Sequence, residues 1–299
     1  MMFFKVLLII IIVLIILYFL AIMPGMSKKT TSEKLLVQNL YAHRGLHDNK
    51  SDAPENSMAA FRKAVDAGYG IELDVQLTSD GIPVIFHDFT LARVARYEEG
   101  HVPADAVKNE DGSLGVAGKV IDYTYEELQQ FHLLDSNEKI PKFEDFLNMV
   151  DGRVPLIVEL KIERFDLTVC PKAFEFLCDY KGVYCIESFN PLGLYWFKKN
   201  HKDVFRGQLS EEFFHEIDRV MHTPMYVMLA FLIFNFLTRP DFVAYNHNHS
   251  GNLSRKICHG IYGNTAAAWT IRSQEELDRN RDRFDIFIFE GFIPSKQNG

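Results

Sequence analysis

Residues 70–88, GIELDVQLTSDGIPVIFHD, constrain the fold of this chain more than any other stretch. Glu72 and Asp74 alternate with Ile71, Leu73 and Val75, so a strand of period two turns both carboxylates to one face and the apolar side chains to the other. Ser79, Asp80 and Gly81 carry turn chemistry, and the following PVIF is a second extended run that ends in His87-Asp88. The link is too short for a parallel crossover, so the two runs predict a hairpin that carries His87 back toward the acids. Two acids on one strand face also suit a solvated sheet edge. Two further apolar runs weigh against that. Residues 40–43 end abruptly in His43-Arg44-Gly45, and residues 156–161 close on Glu159 and Lys161. Charge collected at the C-terminal ends of apolar strands is how a parallel α/β barrel builds its active end.

The rest of the chain can be counted against that expectation. A helix is predicted over 57–65, behind capping residues, and short amphipathic helices over 124–131 and 143–149. Strands are predicted at 40–43, 71–75, 156–161, 183–188, 204–209, 242–246, 267–271 and 286–290. With the hairpin left outside the wall the count is eight, which predicts an α/β fold, a distorted TIM (β/α)8 barrel. Residues 89–120 are irregular and rich in glycine and acids, and read either as a lid or as a disordered insertion. Residues 225–237, MYVMLAFLIFNFL, are too short for a comfortable membrane span; they fit a buried barrel helix or a membrane-dipping loop.

Residues 6–23 are unbroken by charge and long enough to cross a bilayer. A signal peptide would have a shorter apolar core and a small-residue cleavage site, which Pro24-Gly25-Met26 does not supply. The expectation is an uncleaved single-pass anchor over 1–26, a polar linker over 27–38 and a catalytic barrel over 39–299. Lys5 and the amino terminus flank one side of the span, and Lys28, Lys29 and Lys34 the other, which points to a cytoplasmic catalytic domain. The net charge of −8 gives no reason to expect nucleic acid as a partner. Cys170, Cys178, Cys185 and Cys258 have no Cys-x-x-Cys spacing and read as free thiols.

AHRG at 42–45, PENS at 54–57, ELD at 72–74, T-x-DG at 78–81, PV-x-x-HD at 83–88 and ELK at 159–161 form an ordered set. That set resembles the glycerophosphodiester phosphodiesterase family, from about residue 40 to the C-terminal end, with its first fifty residues carrying most of the likeness. The resemblance implies a TIM barrel that releases an alcohol and sn-glycerol 3-phosphate from glycerophosphodiesters. Lysophospholipase D-type cleavage of membrane lysolipids is the alternative, and an inactive lipid-sensing barrel a remote one. Glu72, Asp74 and Glu159 form a hard oxygen set suited to a divalent cation, Mg²⁺ or Ca²⁺. Arg44 and Lys161 are candidates to hold phosphate oxygens, and His43 and His87 to act as the acid–base pair. The resemblance also implies that the substrate's own glycerol hydroxyl attacks, through a cyclic phosphate.

Glu55 and Asn56 either line the site or cap the helix behind them. Trp269 matches a late-strand aromatic of the family that packs near the glycerol pocket, or is a core residue. Ser188 stands at a strand end with no base beside it in sequence, and His247 and His249 read as loop residues. One departure stands out. The family's last strand usually ends in Thr-Asp before an aromatic residue and proline, whereas here the chain reads Phe289-Glu290-Gly291-Phe292.

Overall fold

The computed structural model describes residues 2–25, 31–37, 39–98, 100–213 and 224–295, the side chains of 31–33 excepted. Its frame is an eight-stranded parallel barrel: β1 Leu40–His43, β2 Gly70–Leu77, β3 Leu156–Leu160, β4 Tyr184–Ser188, β5 Arg206–Ser210, β6 Phe242–Asn246, β7 Thr265–Ile271 and β8 Ile286–Phe289. Each strand pairs in parallel with the next, and β1 closes the ring by pairing with both β8 (Ala42↔Phe289) and β2 (Ala42↔Ile71). The hairpin is also present. Pro83–Ile85 returns antiparallel along the outer end of β2, with Val75 opposite Ile85.

Strand periodicity sorts the side chains into layers. Ile71, Leu73 and Val75 of β2 and Leu156, Val158 and Leu160 of β3 point outward to the helices, where they pack with Phe61, Ala64 and Phe146. The alternate positions point into the barrel. Toward its N-terminal end the interior is apolar, filled by Tyr41, Ile157, Leu209, Phe242, Ala267 and Ile288. Toward the C-terminal end the same inward rows carry Glu72, Asp74 and Glu159, all buried. Gly207 is required in the lower layer, since a Cβ there would lie 2.2 Å from the Phe242 ring. The expected linker is only partly a linker. Thr31–Val37 is helical, and its Leu36 is buried in that lower layer, with Tyr41 Oη donating to Leu36 O at 2.9 Å. Lys28 and Lys29 lie outside the described residues.

The irregular stretch after the hairpin is not disordered. Ala95–Arg96, Val107–Lys108, Leu114–Gly115 and His132–Leu133 form a small antiparallel sheet. Around it Val84, Phe86, Leu91, Val116, Leu128 and Phe131 make a second apolar core beside the barrel. The helix expected over 124–131 is shorter, Tyr125–Leu128, and begins at a capping box between Thr124 and Glu127. Residues 225–237 contribute to two short helices, Pro224–Ala230 and Asn235–Thr238; Met225, Val227 and Phe236 are exposed, whereas Ala230, Leu232 and Asn235 are buried against the barrel.

The N-terminal helix, Met2–Ile22, is the one helix among the described residues long and apolar enough to cross a membrane. Met2 to Leu17 are exposed, but its last turn belongs to the barrel. Ile22 is fully buried, and its carbonyl accepts from Asn235 Nδ2 at 2.9 Å. Tyr262 Oη donates to Phe19 O, Arg239 to Met23 O, and Gly25 N to Pro240 O.

Candidate active site

Three strand ends and two loops converge on the C-terminal mouth of the barrel. The register places Glu72 beside Ile157 and Asp74 beside Glu159. The inward row therefore holds three carboxylates whose ligand atoms all lie within 4.8 Å of one another. Burial, with Asp74, Glu187 and Glu159 close by, drives the Glu72 carboxyl well above its ordinary range, and Glu159 is raised as well. Burial would raise Asp74 too, but Lys161, His87, Arg44 and a hydrogen bond from Asn56 hold it well below its ordinary value. Repulsion among buried like charges is relieved either by protons or by a cation. The all-oxygen donor set fits a hard divalent ion. Glu187, on β4, was not singled out by the sequence reading; it is buried behind the triad, and its Oε2 has no hydrogen-bond partner among the described residues.

The two predicted phosphate ligands are already paired with acids. Lys161 Nζ lies 3.0 Å from Asp74 Oδ1 and 2.9 Å from Glu159 Oε1. The Arg44 guanidinium donates to Glu55 Oε1 at 2.8 Å and stands 3.6 Å from Asp74 Oδ2, while its backbone N–H donates to Glu72 Oε2 at 3.1 Å. Arg44 and Asn56 both hold the left-handed conformation, with φ of 54° and 56°. Such backbone is uncommon outside glycine and tends to gather where a site fixes its groups. Asn56 Nδ2 donates to Asp74 Oδ2 at 2.9 Å, and Ser57 caps the helix Met58–Asp66. Asn56 thus faces Asp74, and Glu55 faces the arginines, with Ser57 left to cap the helix.

Each candidate imidazole has its own carboxylate. His43 Nδ1 is 2.5 Å from Glu290 Oε2, and its Nε2 points to the acids, 3.9 Å from Glu72 Oε2. Burial pushes His43 down to about 4 despite that bond, and the bond to His43 brings Glu290 down to about 2. A neutral imidazole that donates from Nδ1 has a free lone pair on Nε2. His87 Nδ1 lies 2.6 Å from Asp88 Oδ1. The hairpin brings His87 beside the triad because Phe86 N donates to Asp74 O, and Gln76 Nε2 fixes the loop by donating to Phe86 O and Asp88 O. Arg93, from the inserted subdomain, donates to both oxygens of Glu55 and to Asp88. Trp269 packs edge-on against Phe189, and its Nε1 has no partner among the described residues. His247 is buried, with its Nε2 3.1 Å from Thr270 O and 3.6 Å from Glu276 Oε2. A cleft of about 610 Å³, lined by His47, Asn49, Glu290 and Ile293, opens beside the His43–Glu290 pair.

Glu290, Asp88 and Arg93 escaped the sequence reading as site residues. The break from the Thr-Asp pattern was the one available signal for Glu290. The larger residue at that position makes the bond to His43.

Comparison with known proteins agrees with the barrel and the motif order. Residues 43–176 match the model of the glycerophosphoryl diester phosphodiesterase family. A glycerophosphodiester phosphodiesterase of Bacillus altitudinis is 34% identical over 131 residues, 42% of this chain and 44% of that protein. Glycerophosphodiester phosphodiesterase 1 of Bos taurus is 26% identical over 270 residues, 79% of this chain and 72% of that protein. The chain therefore spans less than half the length of the first relative. Among solved structures, an Oleispira antarctica phosphodiesterase in complex with the product sn-glycerol-3-phosphate superposes with a TM-score of 0.63 at 21% identity, covering 86% of this chain and 94% of that one.

Proposed function

We propose that this chain, whose residues 43–176 match the glycerophosphoryl diester phosphodiesterase family, is an enzyme of that family that hydrolyses glycerophosphodiesters to an alcohol and sn-glycerol 3-phosphate. The observation that carries this reading is the buried triad Glu72, Asp74 and Glu159, flanked by two imidazoles that each lean on a carboxylate. The triad would hold a divalent cation, Mg²⁺ or Ca²⁺, which when bound would polarise a phosphoryl oxygen and offset the charge that builds on it. Lys161 and Arg44 lie close enough to the acids to turn toward phosphate once those acids are neutralised. Arg44 would then offer its planar fork to two oxygens.

His43 is the base in this scheme. Glu290 keeps the proton on Nδ1, so Nε2 is free to take one from the attacking hydroxyl. His87, held by Asp88 and more open to solvent, would protonate the departing alkoxide; it would then take a proton from the water that opens the resulting cyclic phosphate, while His43 returns its proton to the glycerol oxygen. Trp269 and Phe189 offer an aromatic wall for the glycerol unit. The exposed Met225 and Val227 favour a second reading of the same site, cleavage of single-chain lysolipids; turnover of soluble diesters with none of lysolipid micelles would remove it. We also read Met2–Ile22 as a retained anchor. Removing it would leave the buried Asn235 amide only its long contact to Cys258 Sγ, and losing such a buried hydrogen bond costs about 1–3 kcal/mol.

A cation titration of purified protein by calorimetry tests the metal assignment. The wild type should bind one divalent ion per chain, and Glu72→Gln should bind at least about tenfold more weakly, as expected on losing one anionic ligand. Equal affinity in the two proteins would remove Glu72 from the ligand set.

A further inference from the structure

The way the N-terminal helix docks fixes how the barrel can sit relative to a membrane. Tyr18 Oη meets Ser254 Oγ at 2.7 Å, near the start of the helix Leu253–Gly260, which follows β6 and so begins at the mouth of the barrel. Four residues later, the Ile22 carbonyl accepts from Cys258 Sγ near that helix's far end. The chain then reaches Met23 and Gly25, bound to Arg239 and Pro240 beneath the start of β6. From Tyr18 to Gly25 the backbone thus runs from mouth to base, in the same sense as Leu253–Gly260. Followed backward, the exposed part of the helix leaves the barrel on the side of the mouth.

A helix of 21 residues is about 31 Å long, close to the thickness of a bilayer's hydrocarbon core. Its last turn lies against the barrel wall, so a membrane spanned by the whole helix reaches down to the barrel's rim. That rim carries exposed apolar side chains among its charged ones. Pro224–Ala230 sits over the ends of β5 and β6, tied by Ser210 Oγ and Tyr245 Oη to Leu229 O and Ala230 O. It exposes Met225 and Val227; Leu253, at the start of the helix after β6, is 58% exposed, and Phe165, on the loop after β3, is 77% exposed. Charge is exposed at both ends, at Glu163, Arg164 and Asp166 by the mouth and at Asp151, Arg153, Lys202 and Asp203 by the base, where Ile261 is exposed too, so it is the course of the docked helix that sets the orientation.

We propose that the barrel stands mouth-down on the bilayer that holds its N-terminal helix, with Met225, Val227, Leu253 and Phe165 seated in the interfacial layer. Apolar side chains on a polar rim favour that layer in proportion to the area they bury. The consequence concerns substrate. A diester whose alcohol carries an acyl chain reaches the triad by lateral diffusion, with its chain still in the membrane. The proposal rests on reading Met2–Ile22 as a membrane anchor.

Spin labels on the full-length protein in phosphatidylcholine–phosphatidylglycerol vesicles test it. One label is placed on the native Cys178, exposed at the base; two others are placed on L253C and I10C, each in a C178S background. Collision rates with oxygen and with a water-soluble nickel complex then report depth. The orientation requires I10C to read deep in lipid, L253C to favour oxygen at interfacial depth, and Cys178 to favour the nickel complex. A lipid-embedded I10C with L253C as water-exposed as Cys178, or with Cys178 facing lipid, overturns the orientation. A water-exposed I10C overturns the anchor reading and the orientation with it, whereas hydrolysis is scored separately by turnover of soluble diesters. All three positions are exposed, so labelling does not disturb the core.

Discussion

His43 is useful to the reaction only while Glu290 holds its Nδ1 proton, so the pair makes a sharp test at the scale of single residues. His43→Ala and His87→Ala should each lower turnover about a hundredfold or more, the usual effect of losing a general acid or base. The double variant should be little worse than the poorer single one, because groups acting in one step are not additive. Glu290→Gln keeps the shape but no longer fixes the imidazole tautomer. It should lower kcat with little change in KM, which steady-state kinetics on a soluble diester would separate. Asp88 offers a pH test. Although burial opposes it, hydrogen bonds from His87 and Arg93 hold its carboxyl near about 2, below the ordinary 3.8. A depressed carboxylate stabilises the fold above its unfolded value, and that contribution is lost as pH falls from about 4 to about 2. Urea unfolding should therefore find Asp88→Asn less stable than wild type at neutral pH, by on the order of 1–2 kcal/mol, with the gap closing across that window.

At the scale of elements, the inserted subdomain and the barrel are joined at the site by Arg93. Its Glu55 partner is held well below the carboxylate range: burial would raise it, but hydrogen bonds from Arg93 and the charge of Arg44 prevail. Arg93→Ala should speed amide exchange across residues 91–133 while leaving β1–β8 protected, a pattern mass spectrometry can resolve. Uniform protection in the variant would mean that the second core holds the insertion unaided. Gly207→Ala should lower the melting temperature of the whole barrel, since its Cβ would strike the Phe242 ring, an overpacking cost of about 1–3 kcal/mol. Much of this level was legible in the sequence. Period-two alternation sent Glu72, Asp74 and Glu159 inward, and the short turn at Ser79–Gly81 dictated the hairpin that returns His87. The insertion was not legible, because its sheet uses strands of two residues, too short to show a period. Residues 225–237 read as one unit because a run without charge hides which of its side chains face outward. Glu290 and Arg93 depend on partners 247 and 38 positions away in sequence, and local pattern carries no trace of such contacts.

The whole molecule places a charged, buried mouth and an apolar helix at the same end of one barrel. The barrel and its strand order were readable, since eight apolar runs separated by helical stretches leave few other closures. How the helix docks was not, because Ile22 buries itself against residues more than 200 positions away. The claim on which the rest depends is that the triad, with a divalent ion, cleaves a glycerophosphodiester. Its most direct test is release of sn-glycerol 3-phosphate by the full-length protein in detergent, from glycerophosphocholine and related soluble diesters, after chelation and after return of Mg²⁺ or Ca²⁺. The account predicts turnover that disappears on chelation, returns with the ion, and is not restored by either ion in Glu72→Gln. Undiminished release of glycerol 3-phosphate after exhaustive removal of metal, or no release from any diester with either ion present, would contradict it.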